Sequence, residues 1–187
     1  MTTMTKNRFS TQSLVIMALF TAVLCVSAYI SIPLPSGSHI TALNFIVTII
    51  ALVFPLKHAA FIIITWMLLG CVGVPVFIGG NVGIGYLFGP LGGFSLAFLL
   101  VAIILPILCR RKYHRIYFTI VSICSVILVD LCGSLWLMIS EISLKAALAA
   151  GFLPFIALDL VKAVIAAQLV PQIRTMLSRA SFSFDVK

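Results

Sequence analysis

Residues 70–94, GCVGVPVFIGGNVGIGYLFGPLGGF, decide how this chain is read. The stretch holds nine of the twelve glycines in the sequence: Gly70, Gly73, Gly79, Gly80, Gly83, Gly85, Gly89, Gly92 and Gly93. Long apolar runs flank it on both sides. Irregular backbone survives at membrane depth only where it is buried in protein or lines a cavity, because its N–H and C=O groups find no water in lipid. Glycine also lets a second backbone or a ligand approach closely. A glycine-dense segment between membrane runs therefore reads in one of two ways. It is an extracytoplasmic loop around which helices pack tightly, or it is the wall of a binding site.

Composition decides the setting. Of the 187 residues, 63% are hydrophobic and 9% charged, and the mean hydropathy is +1.28. Soluble domains are roughly one quarter charged, so this is an integral membrane protein. A span takes about 20 apolar residues, which leaves room for about six helices in one domain covering 1–187 and none for a soluble catalytic module. The net charge of +8 comes from basic residues in short loops between apolar runs. That is the pattern of topology signals, not of a nucleic-acid surface. Cys25, Cys71, Cys109, Cys124 and Cys132 form no Cys-x-x-Cys and have no His at metal spacing, so neither a disulfide framework nor a metal centre is expected.

The hydrophobic runs predict six transmembrane helices at about 14–32, 40–54, 58–72, 86–109, 116–140 and 155–177, followed by a polar tail at 178–187. The first run competes with a signal peptide, since Val26-Ser27-Ala28 resembles a cleavage site. It is longer than a signal core of about 7–15 residues, and a retained helix is favoured. The second and third runs are short and flank Pro55, which predicts a tight hairpin. With the N- and C-termini cytoplasmic, the inner segments hold Lys6, Arg8, Lys57, Arg110, Arg111, Lys112, Arg115, Arg174, Arg179 and Lys187, ten of the twelve Lys and Arg residues. The positive-inside rule favours this orientation. It gathers the first loop, the glycine-rich stretch and residues 141–154 on the outer side.

Three ionisable residues interrupt apolar runs: Asp130, Asp159 and Lys162. Each costs roughly 2.5–3.5 kcal/mol at the centre of a membrane helix and must face protein or a wet cavity. Asp159 and Lys162, three apart, share one helix face. They form a structural ion pair or part of a ligand site beside the glycine-rich wall. The second option suits a small ligand with amide-like polarity. Asp159 accepts, Lys162 donates, and Asn81 does both. Gly80 belongs to the wall, and Phe77, Tyr86, Trp136 and Phe155 would cover the apolar part. Asp130 lies deeper and is expected to hydrogen-bond within the bundle, away from ligand. Asn44, alone in the second run, is expected to bond between helices.

Four segments carry a resemblance to the BioY family, the biotin-specific substrate-binding (S) components of energy-coupling-factor (ECF) vitamin transporters. Gly73-Val74-Pro75-Val76-Phe77 with Gly79-Gly80 is similar to the family's Gly-Leu-Pro-Val-Phe segment. Gly89-Pro90-Leu91-Gly92-Gly93-Phe94 is similar to its Gly-Pro-Thr-Gly-Gly-Tyr, and Gly133-Ser134-Leu135-Trp136-Leu137 matches a run on its fifth helix. Residues 154–162, from Pro154 through Asp159 to Lys162, are similar to its Pro-Phe-Ile-Pro-Gly-Asp-x-x-Lys. The likeness runs from about residue 14 to 177. Leu91 stands where the family has Thr, and Ala157-Leu158 where it has Pro-Gly. Ala42 lies near the place of a usual Gln, and Ser95 near that of an Arg carried by some members.

The resemblance implies an all-α membrane protein of six transmembrane helices in the plasma membrane that binds biotin near its outer face for transport. It implies Asn81, Asp159 and Lys162 as ligand contacts. The ureido ring of biotin offers two N–H donors and one carbonyl acceptor, which those side chains would meet, and Lys145 would reach toward the carboxylate. It also implies docking of a transmembrane coupling subunit, with its ATPases, on an Ala-x-x-x-Ala strip formed by Ala18 and Ala22. The sequence contains no Gly-x-x-x-x-Gly-Lys-Ser/Thr for ATP hydrolysis. No catalytic residue, metal or cofactor is expected. An S component for another vitamin-like molecule and a structural membrane protein are the other readings.

Overall fold

The computed structural model describes residues 10–33, 39–110, 112–138, 143–180 and 182. Eight α-helices occur among them: α1 (Thr11–Ser27), α2 (Leu43–Val53), α3 (Leu56–Cys71), α4 (Ile84–Phe88), α5 (Gly92–Leu108), α6 (Arg115–Leu137), α7 (Leu144–Gly151) and α8 (Leu153–Arg179). Two three-residue strands, β1 (Ser31–Pro33) and β2 (His39–Thr41), pair antiparallel with Ile32 opposite Ile40. The helices α6 and α8 are long and apolar enough to cross a membrane, and α1, α2, α3 and α5 are shorter apolar helices. Residues 34–38, Glu141, Lys6, Arg8, Arg111 and Lys187, all used in the expected topology, lie outside the described residues.

The bundle is organised around α2. Nine of its eleven residues are buried, and it packs against α1, α3, α5, α6 and α8. Eleven residues rise only about 16 Å, too little for a bilayer. A helix buried in protein along nearly its whole length can be this short. Its C-terminal carbonyls find a partner in α8, where Arg174 Nη2 donates to Leu52 O at 2.6 Å. A cation at a helix C-terminus also meets the negative end of the helix dipole. The Arg174 guanidinium lies 5.3 Å from the centre of the Phe118 ring of α6.

The structure departs from the hydropathy pattern at four places. The first run bends out of helix after Ser27, and Ser31–Pro33 joins the hairpin, where Ala42 N donates to Ile30 O (3.1 Å). The expected helix 86–109 is broken, because Gly89 is extended (φ −79°, ψ 179°) and Pro90 follows, separating α4 from α5. An additional helix, α7, precedes α8, its first turn capped by Ser143 accepting from Ala146 N. Finally, α8 begins at Leu153 with Pro154 in its first turn, where a missing N–H costs nothing.

The helices α5 and α6 interlock through small residues. A Cβ on Gly93 of α5 would strike the Trp136 side chain of α6, and one on Gly133 of α6 would strike the Phe94 ring of α5. Each glycine receives the aromatic side chain of the other helix. We expect Gly133→Ala to destabilise the bundle by about 1–3 kcal/mol through overpacking. Gly85→Ala, where the added methyl meets nothing within 4 Å, should be neutral. Thermal unfolding in detergent checks this, and equal midpoints for the two variants would refute the interlock.

Candidate functional site

A cavity opens beside the N-terminal end of α2. Its wall takes His39 and Thr41 from β2, Asn44 from α2, Ile78 from the glycine-rich stretch and Leu91 from the turn before α5. Phe94 and Phe98 come from α5, Val129 and Asp130 from α6, and Phe155 and Asp159 from α8. One side is aromatic, with Phe94 and Phe155 edge to face at 6.5 Å. The other is polar.

The polar side is a connected cluster. Asp159 Oδ1 accepts from Lys162 Nζ at 2.8 Å, and its Oδ2 accepts from Asn44 Nδ2 at 2.7 Å. Lys162 Nζ also donates to Thr41 O at 2.9 Å. Helix α8 is thereby tied to α2 and to the hairpin. Asp159 and Asn44 are buried, while Lys162 keeps 24% of its side chain exposed. A buried carboxylate is tolerable only when paired and hydrogen-bonded, and both oxygens of Asp159 are. Asn44 bonds between helices, as its position in the second run suggests, and also faces the cavity.

Of the residues expected at the site, Asp159 and Phe155 line the cavity, and Lys162 braces its wall from behind. The others are placed elsewhere. Asn81 is exposed, and its Nδ2 donates to Ile78 O (2.7 Å). Gly80 occupies the same turn at φ +76°. Tyr86 stacks on Phe77 (4.5 Å, 11° between planes), and Trp136 Nε1 donates to Gly89 O (3.0 Å). Lys145 is exposed on α7. Asp130, expected to bond within the bundle, instead lines the cavity.

Sequence reasoning missed His39, Thr41, Phe94, Phe98 and the cavity face of Asn44. Only Asn44 carried a signal, as a lone amide in an apolar run. The glycine-rich stretch contributes to the cavity mainly by shaping what surrounds it. Gly79 has φ +72°, and a Cβ there would lie 3.0–3.4 Å from the imidazole of His39. Both the backbone and the neighbouring ring therefore require glycine. Trp66 Nε1 donates to Val76 O (2.9 Å) and anchors the stretch to α3.

Fold and cavity together define a helical membrane protein with a pocket that is polar at one side and aromatic at the other. The chain belongs to the BioY family, whose model matches residues 2–179. It is 36% identical over 155 residues to the biotin transporter BioY2 of Lactococcus lactis subsp. cremoris, covering 82% of this chain and 85% of that protein. It is 30% identical over 158 residues to the biotin transporter BioY of Thermotoga maritima, covering 84% and 93%. The fold matches the crystal structure of the S-component for biotin from an ECF-type ABC transporter with a TM-score of 0.80. That match covers 90% of this chain and 95% of that one at 24% identity.

Removing one member of the Asp159–Lys162 pair strands the other. We expect Asp159→Ala to lower stability by roughly 3 kcal/mol, the low end for a broken buried pair because Lys162 retains some solvent access. The double variant Asp159→Leu with Lys162→Met should regain at least half of that loss. Unfolding in detergent without ligand measures both. A single variant that unfolds with the parent would show that the pair is not structural.

Proposed function

We propose that this protein is the biotin-binding subunit of an energy-coupling-factor transporter in the plasma membrane. It would work with a transmembrane coupling subunit and ATPase subunits, and it is a transport component, not an enzyme. The observation that carries this reading is the paired polar cluster opening on an aromatic-walled cavity, in a chain whose named relatives are biotin transporters. Biotin suits such a cavity. Its fused ring system presents a polar urea edge and an apolar sulfur-containing edge. Asp159 and Lys162 anchor the polar end, and Phe94, Phe98 and Phe155 cover the rings.

In this reading α1, α2, α3, α5, α6 and α8 are the six membrane helices, with α4, α7 and the hairpin toward the outer face. Both termini are cytoplasmic, which follows from the ten inner-side Lys and Arg residues. Asp159 is the seventh residue of α8, so the cavity lies toward the outer end. Ala18 and Ala22 dock the coupling subunit. Both are exposed on α1, on a face they share with exposed Val15, Leu19 and Val26. The opposite face, with Met17, Thr21 and Leu24, is the one buried in the bundle. Small residues at four-residue spacing let a second helix approach closely in lipid.

Two outcomes follow. Calorimetry of the purified protein should show saturable binding of biotin and of desthiobiotin, which keeps the ureido ring, and no measurable binding of a ureido-free analogue. A site built around hydrogen-bonding groups rejects ligands that leave them unpaired. Equal binding of the ureido-free analogue would overturn the assignment, and selective binding of another vitamin would replace it. Second, Ala18→Trp or Ala22→Trp should abolish ATP-driven uptake and co-purification with the coupling subunit, with biotin affinity unchanged within about twofold. Undiminished uptake by both variants would remove the docking strip.

A further inference from the structure

A polar segment after the last helix of a domain frays unless something ties it down. Here the residues after α8 are tied. Ala180 N donates to Met176 O (3.1 Å) and Phe182 N to Leu177 O (3.0 Å), so the chain turns back on the end of α8. The Phe182 side chain then enters the bundle and is 3% exposed. Its ring meets Phe54 edge to face (5.5 Å, 88°) and His58 likewise (5.1 Å, 70°). Phe54 is the residue after α2, and His58 lies in the first turn of α3. Phe54, itself buried, also meets Phe20 of α1 edge to face (4.8 Å, 77°). Edge to face is a geometry that aromatic pairs favour. Three rings thus connect the residues beyond α8, through the α2–α3 turn, to α1.

Helix α1 depends on such contacts. The hydroxyls of Thr21 and Ser27 bond to carbonyls of α1 itself, Met17 O and Leu24 O. Side-chain packing on α2 and α3 holds the helix, and apolar faces in lipid have no hydrophobic drive to associate. Helix α8 is bonded to α2 near both ends, since Asn44 donates to Asp159 and Arg174 donates to Leu52 O. Without the Phe182 ring, Phe54 loses a neighbour that fixes its approach to Phe20. We infer that Phe182 is a latch: it holds Phe54, and through it sets the position of α1 and of the strip formed by Ala18 and Ala22. It is a positioning residue for the coupling surface and not part of that surface. This rests on the functional reading above, which supplies the partner. Asp159 and the end of α8 at Arg179 are about 30 Å apart along the helix, so one rigid element links the cavity to the latch. Packed side chains and rigid elements of this kind carry coupling between distant sites.

The test uses the full chain, alone and together with the coupling and ATPase subunits. In the isolated protein in detergent, Phe182→Ala should speed amide hydrogen exchange in α1 by about tenfold or more and leave α6 within about twofold of the parent. Biotin affinity should stay within about twofold. In the full complex, co-purification with the coupling subunit and ATP-driven uptake should fall by roughly fivefold or more. A purely structural role for Phe182 would speed exchange in α1 and α6 alike and lower biotin affinity along with uptake, and that result overturns the inference. So does faster exchange in α1 with undiminished uptake, or parental exchange in α1 whatever the uptake. Where Phe182→Ala does not yield folded protein, Phe182→Val is read by the same criteria. An unaltered protein that neither binds biotin nor purifies with the coupling subunit would sink the functional reading, and the exchange measurement alone would then decide whether Phe182 holds α1.

Discussion

The carboxylate of Asp159 is the constraint on which the rest of the structure depends. Placed in an apolar helix it demands donors, and the fold supplies them from two directions. Lys162 comes from one turn further along α8, and Asn44 from the buried helix α2. Lys162 carries the connection on to the backbone of the hairpin at Thr41. Three elements far apart in sequence are thereby fixed relative to one another at the mouth of one cavity. Van der Waals packing alone would specify this less sharply, because apolar helix faces in lipid have no hydrophobic drive to associate. A misplaced helix that strands a charge is excluded by a far larger penalty.

The short helix α2 explains why such a cluster can exist. It is buried nearly all round, so its one amide side chain has no lipid to avoid and only protein to meet. Other elements bond at both of its ends, Arg174 to Leu52 O and Ile30 O to Ala42 N. Around it, α5 and α6 close together because Gly93 and Gly133 make room for Trp136 and Phe94. The same approach sets Phe94 and Phe98 on one wall of the cavity and Asp130 on another. Packing in one layer of the bundle thus determines which polar atoms face the open space.

Much of this was legible in the sequence, and the exceptions share a cause. Apolar runs marked the long helices because hydropathy is local. The pairing of Asp159 with Lys162 was legible because three residues on a helix is a fixed geometry. Phe155, expected among the aromatic surroundings, lies one turn before Asp159 and lines the cavity. Asn81, Tyr86 and Trp136 were expected at the cavity by virtue of the segments that carry them. The structure spends Asn81 on the turn at Ile78, Tyr86 on stacking with Phe77, and Trp136 on the carbonyl of Gly89. Asn44 and Lys162 find partners 115 and 121 residues away, a relation that no periodicity encodes. The break at Ser27 was hidden because apolar residues continue through it, and only the pairing of the hairpin marks it; Gly89-Pro90, expected at the start of the fourth helix, separates α4 from α5.

The charge of the cavity also orients its occupant. The protein carries a net +8, yet the two titratable acids on this wall, Asp130 and Asp159, face it with only Lys162 close behind, and Lys162 is already committed to Asp159 and Thr41. A free carboxylate brought to this end would meet the Asp159 carboxylate, whose donors are already taken, a juxtaposition that costs several kcal/mol at an interface. A urea brought there meets acceptors matched to its donors. Under the proposed function, biotin therefore enters with its ring system toward the cluster of Asn44, Asp159 and Lys162 and keeps its carboxylate away from it. The same asymmetry makes the polar end of the pocket the part that distinguishes a cyclic urea from other small acids.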